Sequence, residues 1–233
     1  MTDSAYDAPV LLDVPDVPNF RDAGCGVLPP GRLYRSGGLF HMTEEGAGRL
    51  KALGVRVVID LRSRRELDVW PDRLHGLEVE YRHLPLLPDP ADSGLPWPQT
   101  PAELYPFMAE VGGAALAGAV RALAEGGAVL VHCAVGKDRT GLTVAAVHTL
   151  LGMPEGDLVA DFLRSNPALG LDAGPVPYTD EEGRERMSNP VEAPNLRAAL
   201  ARIAELHGSL DGYLLAHGAT AEDLAAVRAL RAG

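Results

Sequence analysis

Two stretches constrain this chain more than any others: VRVVIDL at 55–61, which is continuously β-branched in character, and AVLVHC at 128–133, which is apolar. A strand without polar alternation has no solvent face, so both predict strands buried on two sides. Helical patterns surround them. TEEGAGRLKALG (43–54) carries Thr43 as a cap, Glu44 and Glu45 at its positive end, and Gly54 to close it. RSRRELDVW (62–70) reads as a short helix stopped by Pro71. Two helices are expected at about 101–109 and 112–125, one from Arg139 to Leu151, and one in PEGDLVADFLRS (154–165). GRLYRSG (31–37) and VEYRHLPL (79–86) add two strands. Three helices close the chain, with apolar stripes at Leu196, Leu200, Ile203 and Leu206 and at Leu224, Val227 and Leu230.

Strands alternating with helices define an α/β class: a central, mostly parallel sheet flanked by helices on both faces, here with a helical C-terminal segment. The 233 residues suit a single domain spanning 1–233, with residues 1–18 as an extended N-terminal segment rich in Pro and Asp. Two stretches lack any period, 87–101 and 166–192. Irregular loops of that length are commonly lids or linkers. The second holds three turn signals, Asn166-Pro167, Gly174-Pro175 and Asn189-Pro190.

Charge narrows the function. A net charge of −11 opposes nucleic-acid binding, because duplex phosphates would repel the chain. The densest basic cluster, Arg62, Arg64 and Arg65, reads as a solvated helix face. The longest apolar runs are too short for a transmembrane segment. The first residues lack the basic start and apolar core of a secretory leader, so a cytoplasmic location is expected, with export by another route open. Two cysteines, Cys25 and Cys133, make neither a disulfide framework nor a zinc site, and no metal or cofactor is expected. The oligomeric state is not legible.

Cys133 opens the segment HCAVGKDRTG (132–141), which joins an apolar strand to a helix. Ligands of such sheets bind beyond the carboxyl ends of the strands. Between Cys133 and Arg139 the backbone amides of Ala134, Val135, Gly136, Lys137, Asp138 and Arg139 can curl into an anion nest, with the helix adding its positive end. Gly136 supplies the conformation that other residues resist, and the Arg139 fork can hold two phosphate oxygens. The thiol of Cys133, acidified by these neighbours, becomes a thiolate facing phosphorus, and Thr140 can donate to the sulfur as it leaves. The chemistry is metal-independent phosphate monoester hydrolysis through a phosphocysteine. A silent phosphate-binding module is the alternative from another class.

At these residues the sequence resembles the cysteine-dependent protein tyrosine phosphatase superfamily, and more narrowly the bacterial tyrosine/serine phosphatase group typified by mycobacterial protein tyrosine phosphatase B. NFRD (19–22), LYRSG (33–37), VIDLRS (58–63), VADFLRSN (159–166) and the C-terminal GYLLAHGATAEDLAAVRALR carry the same resemblance, so it covers nearly the whole chain. It implies a phosphotyrosine phosphatase-like fold, Cys133 as nucleophile and Arg139 as phosphate clamp. It further implies that Lys137 and Asp138 matter, since members with this Lys-Asp-Arg triplet act on phosphotyrosine, phosphoserine/threonine and phosphoinositides. The partner is then a phosphorylated protein or a small phosphate ester. With Lys137 on a second phosphate, it is a phosphoinositide or inositol phosphate.

The leaving group needs a proton, and several aspartates compete to supply it. Trp70-Pro71-Asp72 spells the acid motif of the larger tyrosine phosphatases, but 61 residues separate Asp72 from Cys133, and Trp70 ends a helix rather than a mobile loop. Asp89 and Asp92 sit in the Pro-rich connector. Asp138, inside the nest, is favoured, partly by the resemblance. A phosphate dianion beside it would help it keep a proton. Arg21 and Asp22 are expected to brace the loop as an ion pair, and Asp60 and Arg62 to order the same mouth. By the resemblance, His132 tunes the cysteine through hydrogen bonds. Trp97 is expected to anchor its loop rather than stack on substrate. Cys25, where the group usually has glycine, could approach Cys133 and form a protective disulfide under oxidation.

Overall fold

The computed structural model describes residues 14–89 and 94–231. Five strands, β1 (Arg21–Asp22), β2 (Leu33–Ser36), β3 (Val55–Asp60), β4 (Glu80–His83) and β5 (Ala128–His132), form one sheet in the order β1-β2-β5-β3-β4. Only β1 runs antiparallel, against β2; β2–β5, β5–β3 and β3–β4 are parallel. The two apolar runs are thus the central pair, with Ile59 opposite Val131 and Asp60 opposite His132.

Period-two alternation distributes the strand side chains between two cores. Leu33, Val57, Ile59, Val129 and Val131 pack on one face, and Tyr34, Val58 and Leu130 on the other. The second face is covered by α1 (Glu44–Ala52) through Ala47 and Leu50. Thr43 caps α1 by accepting from the Gly46 amide at 3.3 Å, and Gly54 follows it at φ +72°. The first face carries α3 (Pro101–Val111), α4 (Gly113–Ala124), α5 (Asp138–Leu150) and α6 (Glu155–Leu163), with α8 (Ala193–His207), α9 (Leu210–Ala216) and α10 (Ala221–Ala229) packed outside them. Leu196 and Ile203 of the α8 stripe are buried, as are Leu224 and Val227 of α10. Among the described residues no single helix is long and apolar enough to cross a membrane.

The stretch 166–192 is more ordered than its turn signals suggest. It begins in a single helical turn, α7 (Ser165–Ala168), and then forms a separate antiparallel hairpin of β6 (Val176–Thr179) and β7 (Glu185–Ser188). Both strands are almost wholly exposed, so they have no apolar alternation to reveal them. The Asp180 carboxylate organises the turn by accepting from the Glu182 and Arg184 amides. An ion pair of 2.8 Å from Arg65 to Glu182 ties the hairpin to α2 (Arg64–Val69). In the other irregular stretch, Trp97 lies edge-on to Phe107, with ring centroids 5.5 Å apart, as a loop anchor would. Asp92 lies outside the described residues.

Candidate active site

Strand β5 ends at His132, and α5 begins at Asp138, one residue earlier than its pattern suggests. Cys133 sits between them, 2% exposed and with a free thiol. The carbonyls of the loop are engaged on its outer side. Ala134 O accepts from the Gly38 amide at 2.9 Å, and Gly136 O accepts from Asn19 Nδ2 at 2.8 Å and Arg35 Nη2 at 3.0 Å. In a trans peptide the N–H points opposite to its C=O, so the Val135 and Lys137 amides turn to the inner side of the loop. Gly136 has φ +72°, and a Cβ there would lie 2.3 Å from the Ser36 carbonyl. No other residue fits.

Burial pushes the Cys133 thiol up. The Arg139 charge, helped by the neighbouring Thr140 hydroxyl and amide, outweighs this and holds it below the ordinary thiol value. Arg139 is fixed by Glu66, whose carboxylate accepts from Nη1 at 2.5 Å and Nη2 at 2.8 Å. A guanidinium has five N–H groups, so three remain for a phosphate. Glu66 also closes the capping box of α2: it accepts from the Ser63 amide, and Ser63 Oγ accepts from its own. The string Ser63-Arg64-Arg65-Glu66 is the signal for that box, but its second role is invisible in sequence.

Arg21 does not pair with Asp22. Neighbours on a strand point to opposite faces, and the two separate accordingly. Asp22 accepts from the Gly24 and Gly31 amides at 2.7 and 2.6 Å, while Arg21 Nε reaches Asp161 of α6 at 3.1 Å. Arg35 Nη1 meets the other Asp161 oxygen at 2.6 Å, and Arg21 also donates to the Asn19 side chain. Two buried arginines thus share one carboxylate and reach Gly136 directly and through Asn19. Nothing in their local sequence assigns a role to Asn19, Arg35, Asp161 or Ser165, the last of which joins the cluster by accepting from Arg21 Nη2 at 3.3 Å.

A second network lies behind His132. The Arg62 side chain is fully buried, not solvated, and pairs with Asp60 at 2.8 Å and Asp72 at 2.9 Å; Arg64 and Arg65 are the exposed members of that basic cluster. Asp72 lies 3.1 Å from His132 Nε2 and accepts from Tyr81 Oη and the Leu39 amide. Burial pushes the His132 imidazole down, but Asp72 and Asp60 outweigh this and raise it. Asp72 is therefore a structural carboxylate holding the base of the loop.

Among the competing aspartates, Asp138 lines the cleft over the loop and Asp89 does not. The cleft measures about 580 Å³. Its walls are Phe40 and Trp70, stacked 6.0 Å apart, then Leu104 and Tyr105 of α3, and Tyr178 and Met187 of the hairpin. Asp138 Oδ1 accepts from Tyr105 Oη at 2.8 Å. Lys137 is 6% exposed and turned to the hairpin, with Nζ donating to Ser188 Oγ and the Asn189 carbonyl and lying 3.6 Å from Asp138 Oδ2. Cys25 is a free, buried thiol at φ +49°, a conformation that favours glycine, and burial and Asp161 push it up to about 12.

A thiol kept acidic at the floor of an amide nest, with a fixed arginine beside it, defines a cysteine-dependent phosphate-ester site. The comparisons with known proteins place it more closely: residues 12–231 match the model of the tyrosine phosphatase family, and the chain belongs to that family. It is 32% identical to the triple specificity protein phosphatase PtpB of Mycobacterium tuberculosis, over 88% of this chain and 92% of that protein. It is 29% identical to the putative tyrosine-protein phosphatase H16_A0669 of Cupriavidus necator, over 91% and 82%. The crystal structure of P. aeruginosa TpbA aligns with 93% of this chain and 99% of that one, at 19% identity and a TM-score of 0.49.

Proposed function

We propose that the whole chain is one phosphatase domain that hydrolyses phosphotyrosine, with phosphoserine and phosphothreonine within reach, through a phosphocysteine on Cys133. The observation that carries the reading is the placement of buried Cys133 between the end of β5 and the start of α5, beside an Arg139 fixed by Glu66. In the first step Sγ attacks phosphorus, the bond to the ester oxygen breaks, and Asp138 gives that oxygen its proton. Arg139 and the amides of 134–139 hold the three equatorial oxygens as charge spreads over them. In the second step Asp138 takes a proton from water as it attacks phosphorus. The sulfur leaves as a thiolate supported by Thr140, and inorganic phosphate is released. The charge that a metal would supply comes from Arg139 and the nest.

Aromatic and apolar walls suit an aryl phosphate. The M. tuberculosis relative is named for triple specificity, which supports the wider range. Lys137 is engaged by Ser188, Asn189 and Asp138, which favours a monoester over an inositol ring needing a second phosphate contact. Two free thiols suit a reducing cytoplasm. The test is hydrolysis of an aryl phosphate in EDTA by wild type and Cys133→Ser, followed by ranking of phosphopeptides and phosphoinositides. Activity that survives EDTA and vanishes in the variant is expected. Activity that persists in Cys133→Ser sinks the reading.

A further inference from the structure

We infer that Tyr105 is the positioning residue of the general acid: its hydroxyl holds Asp138 Oδ1, so the transferable proton sits on Oδ2. This rests on the reading of Asp138 as the acid.

The geometry joins two segments distant in sequence. Asp138 opens α5 and is 30% exposed at its side chain, in the cleft. Tyr105 comes from α3, is 1% exposed, and lies edge-on to Phe162 with ring centroids 6.0 Å apart. Its hydroxyl is therefore fixed, and it donates to Oδ1 at 2.8 Å. Burial and the nearby charges of Asp138 and Cys133 hold the phenol well above its usual value, so it stays a donor throughout turnover. A protonated carboxyl has one O–H. With Oδ1 already accepting, that O–H belongs on Oδ2. Four other groups set the charge here: Lys137, 3.6 Å from Oδ2, Cys133 and Arg139 in the same loop, and Arg35, whose field reaches Tyr105.

The chemical consequence follows from the change of charge. As the P–O bond breaks, the Oδ2 proton passes to the leaving oxygen, and Asp138 becomes a carboxylate. The Tyr105 hydrogen bond turns charge-assisted at that moment and strengthens. A bond stronger in the transition state than in the ground state accelerates the step. The same bond orients the carboxylate when it accepts the proton of the attacking water.

The experiment compares wild type, Tyr105→Phe, Asp138→Asn and the double variant on aryl phosphates from 4-nitrophenyl to unsubstituted phenyl. Asp138→Asn is expected to lose far more on phenyl phosphate than on the nitrophenyl ester. Tyr105→Phe is expected to show the same bias, with about tenfold loss on phenyl phosphate, the size of one hydrogen bond to a charged group. The double variant should be no slower than Asp138→Asn. The ratio of two substrates on one preparation is independent of the folded fraction. If Asp138→Asn is biased but Tyr105→Phe loses equally on all substrates, this inference fails and the acid assignment stands. If Asp138→Asn shows no bias, both fail.

Discussion

Asp161→Asn removes a negative charge from between two buried cations. The carboxylate is 2% exposed, Arg21 is 1% and Arg35 is 0%. Removing one partner of a buried pair costs about 3–5 kcal/mol. Asparagine keeps one oxygen that can still accept, which places the cost near the lower end, about 3 kcal/mol. For a chain of this size each kcal/mol moves the melting temperature by about 2–4 °C, so the fall should be roughly 6–12 °C. Arg21 reports the same tension, since burial and Arg35 push it down to about 10 even with Asp161 in place. Burial raises the Asp161 carboxyl, but Arg35 and Arg21 outweigh it and hold it far below the usual carboxylate range. A depressed native pKa contributes its full stability above the unfolded value of about 3.9 and loses it as pH falls through the native value. The gap between wild type and variant should therefore be constant from neutrality to about pH 4 and close only below that. Because Arg35 also holds Gly136 O, kcat should fall even well below the melting range. Calorimetry and urea unfolding across pH, with activity measured in the cold, test this. A cost under about 1 kcal/mol at pH 7, or a gap that closes between pH 7 and 5, would refute the reasoning.

Asp72→Asn should destabilise the fold by about 3 kcal/mol, since it removes a carboxylate shared by Arg62 and His132. The leaving-group dependence should stay that of wild type; a selective loss on poor leaving groups would restore Asp72 as the acid. Thr140→Val removes a hydroxyl that helps hold the Cys133 thiol down, so the pH midpoint of its alkylation should rise. An unmoved midpoint would remove Thr140 from the account. Gly136→Ala drives a Cβ to 2.3 Å from the Ser36 carbonyl at φ +72° and should cut kcat at least about a hundredfold. Near-normal turnover would mean the loop is not held as described.

Features that depend on neighbours in sequence were legible, and those that depend on which surfaces meet were not. β3 and β5 announce themselves by β-branched composition, and the nest by the spacing from Cys133 to Arg139. The hairpin β6–β7 is silent because neither strand buries a face. Arg21 illustrates the limit on pairing. Its nearest acid in sequence is Asp22, but strand geometry puts them on opposite faces, and the true partner, Asp161, is 140 residues away. Trp70-Pro71-Asp72 shows the converse, a familiar string whose carboxylate the fold turns inward to His132. The segments that carried the family resemblance are the instructive case. NFRD contributes Asn19 and Arg21, LYRSG contributes Arg35, and VADFLRSN contributes Asp161 and Ser165, and all five meet behind Gly136. Each string alone supplies one or two of these residues, and the ion-pair partner of its charged one lies in another string. Their convergence explains why they matter together: the Gly136 carbonyl is held outward by Arg35 and by Asn19, which Arg21 holds in turn, and those two cations cannot be buried without Asp161.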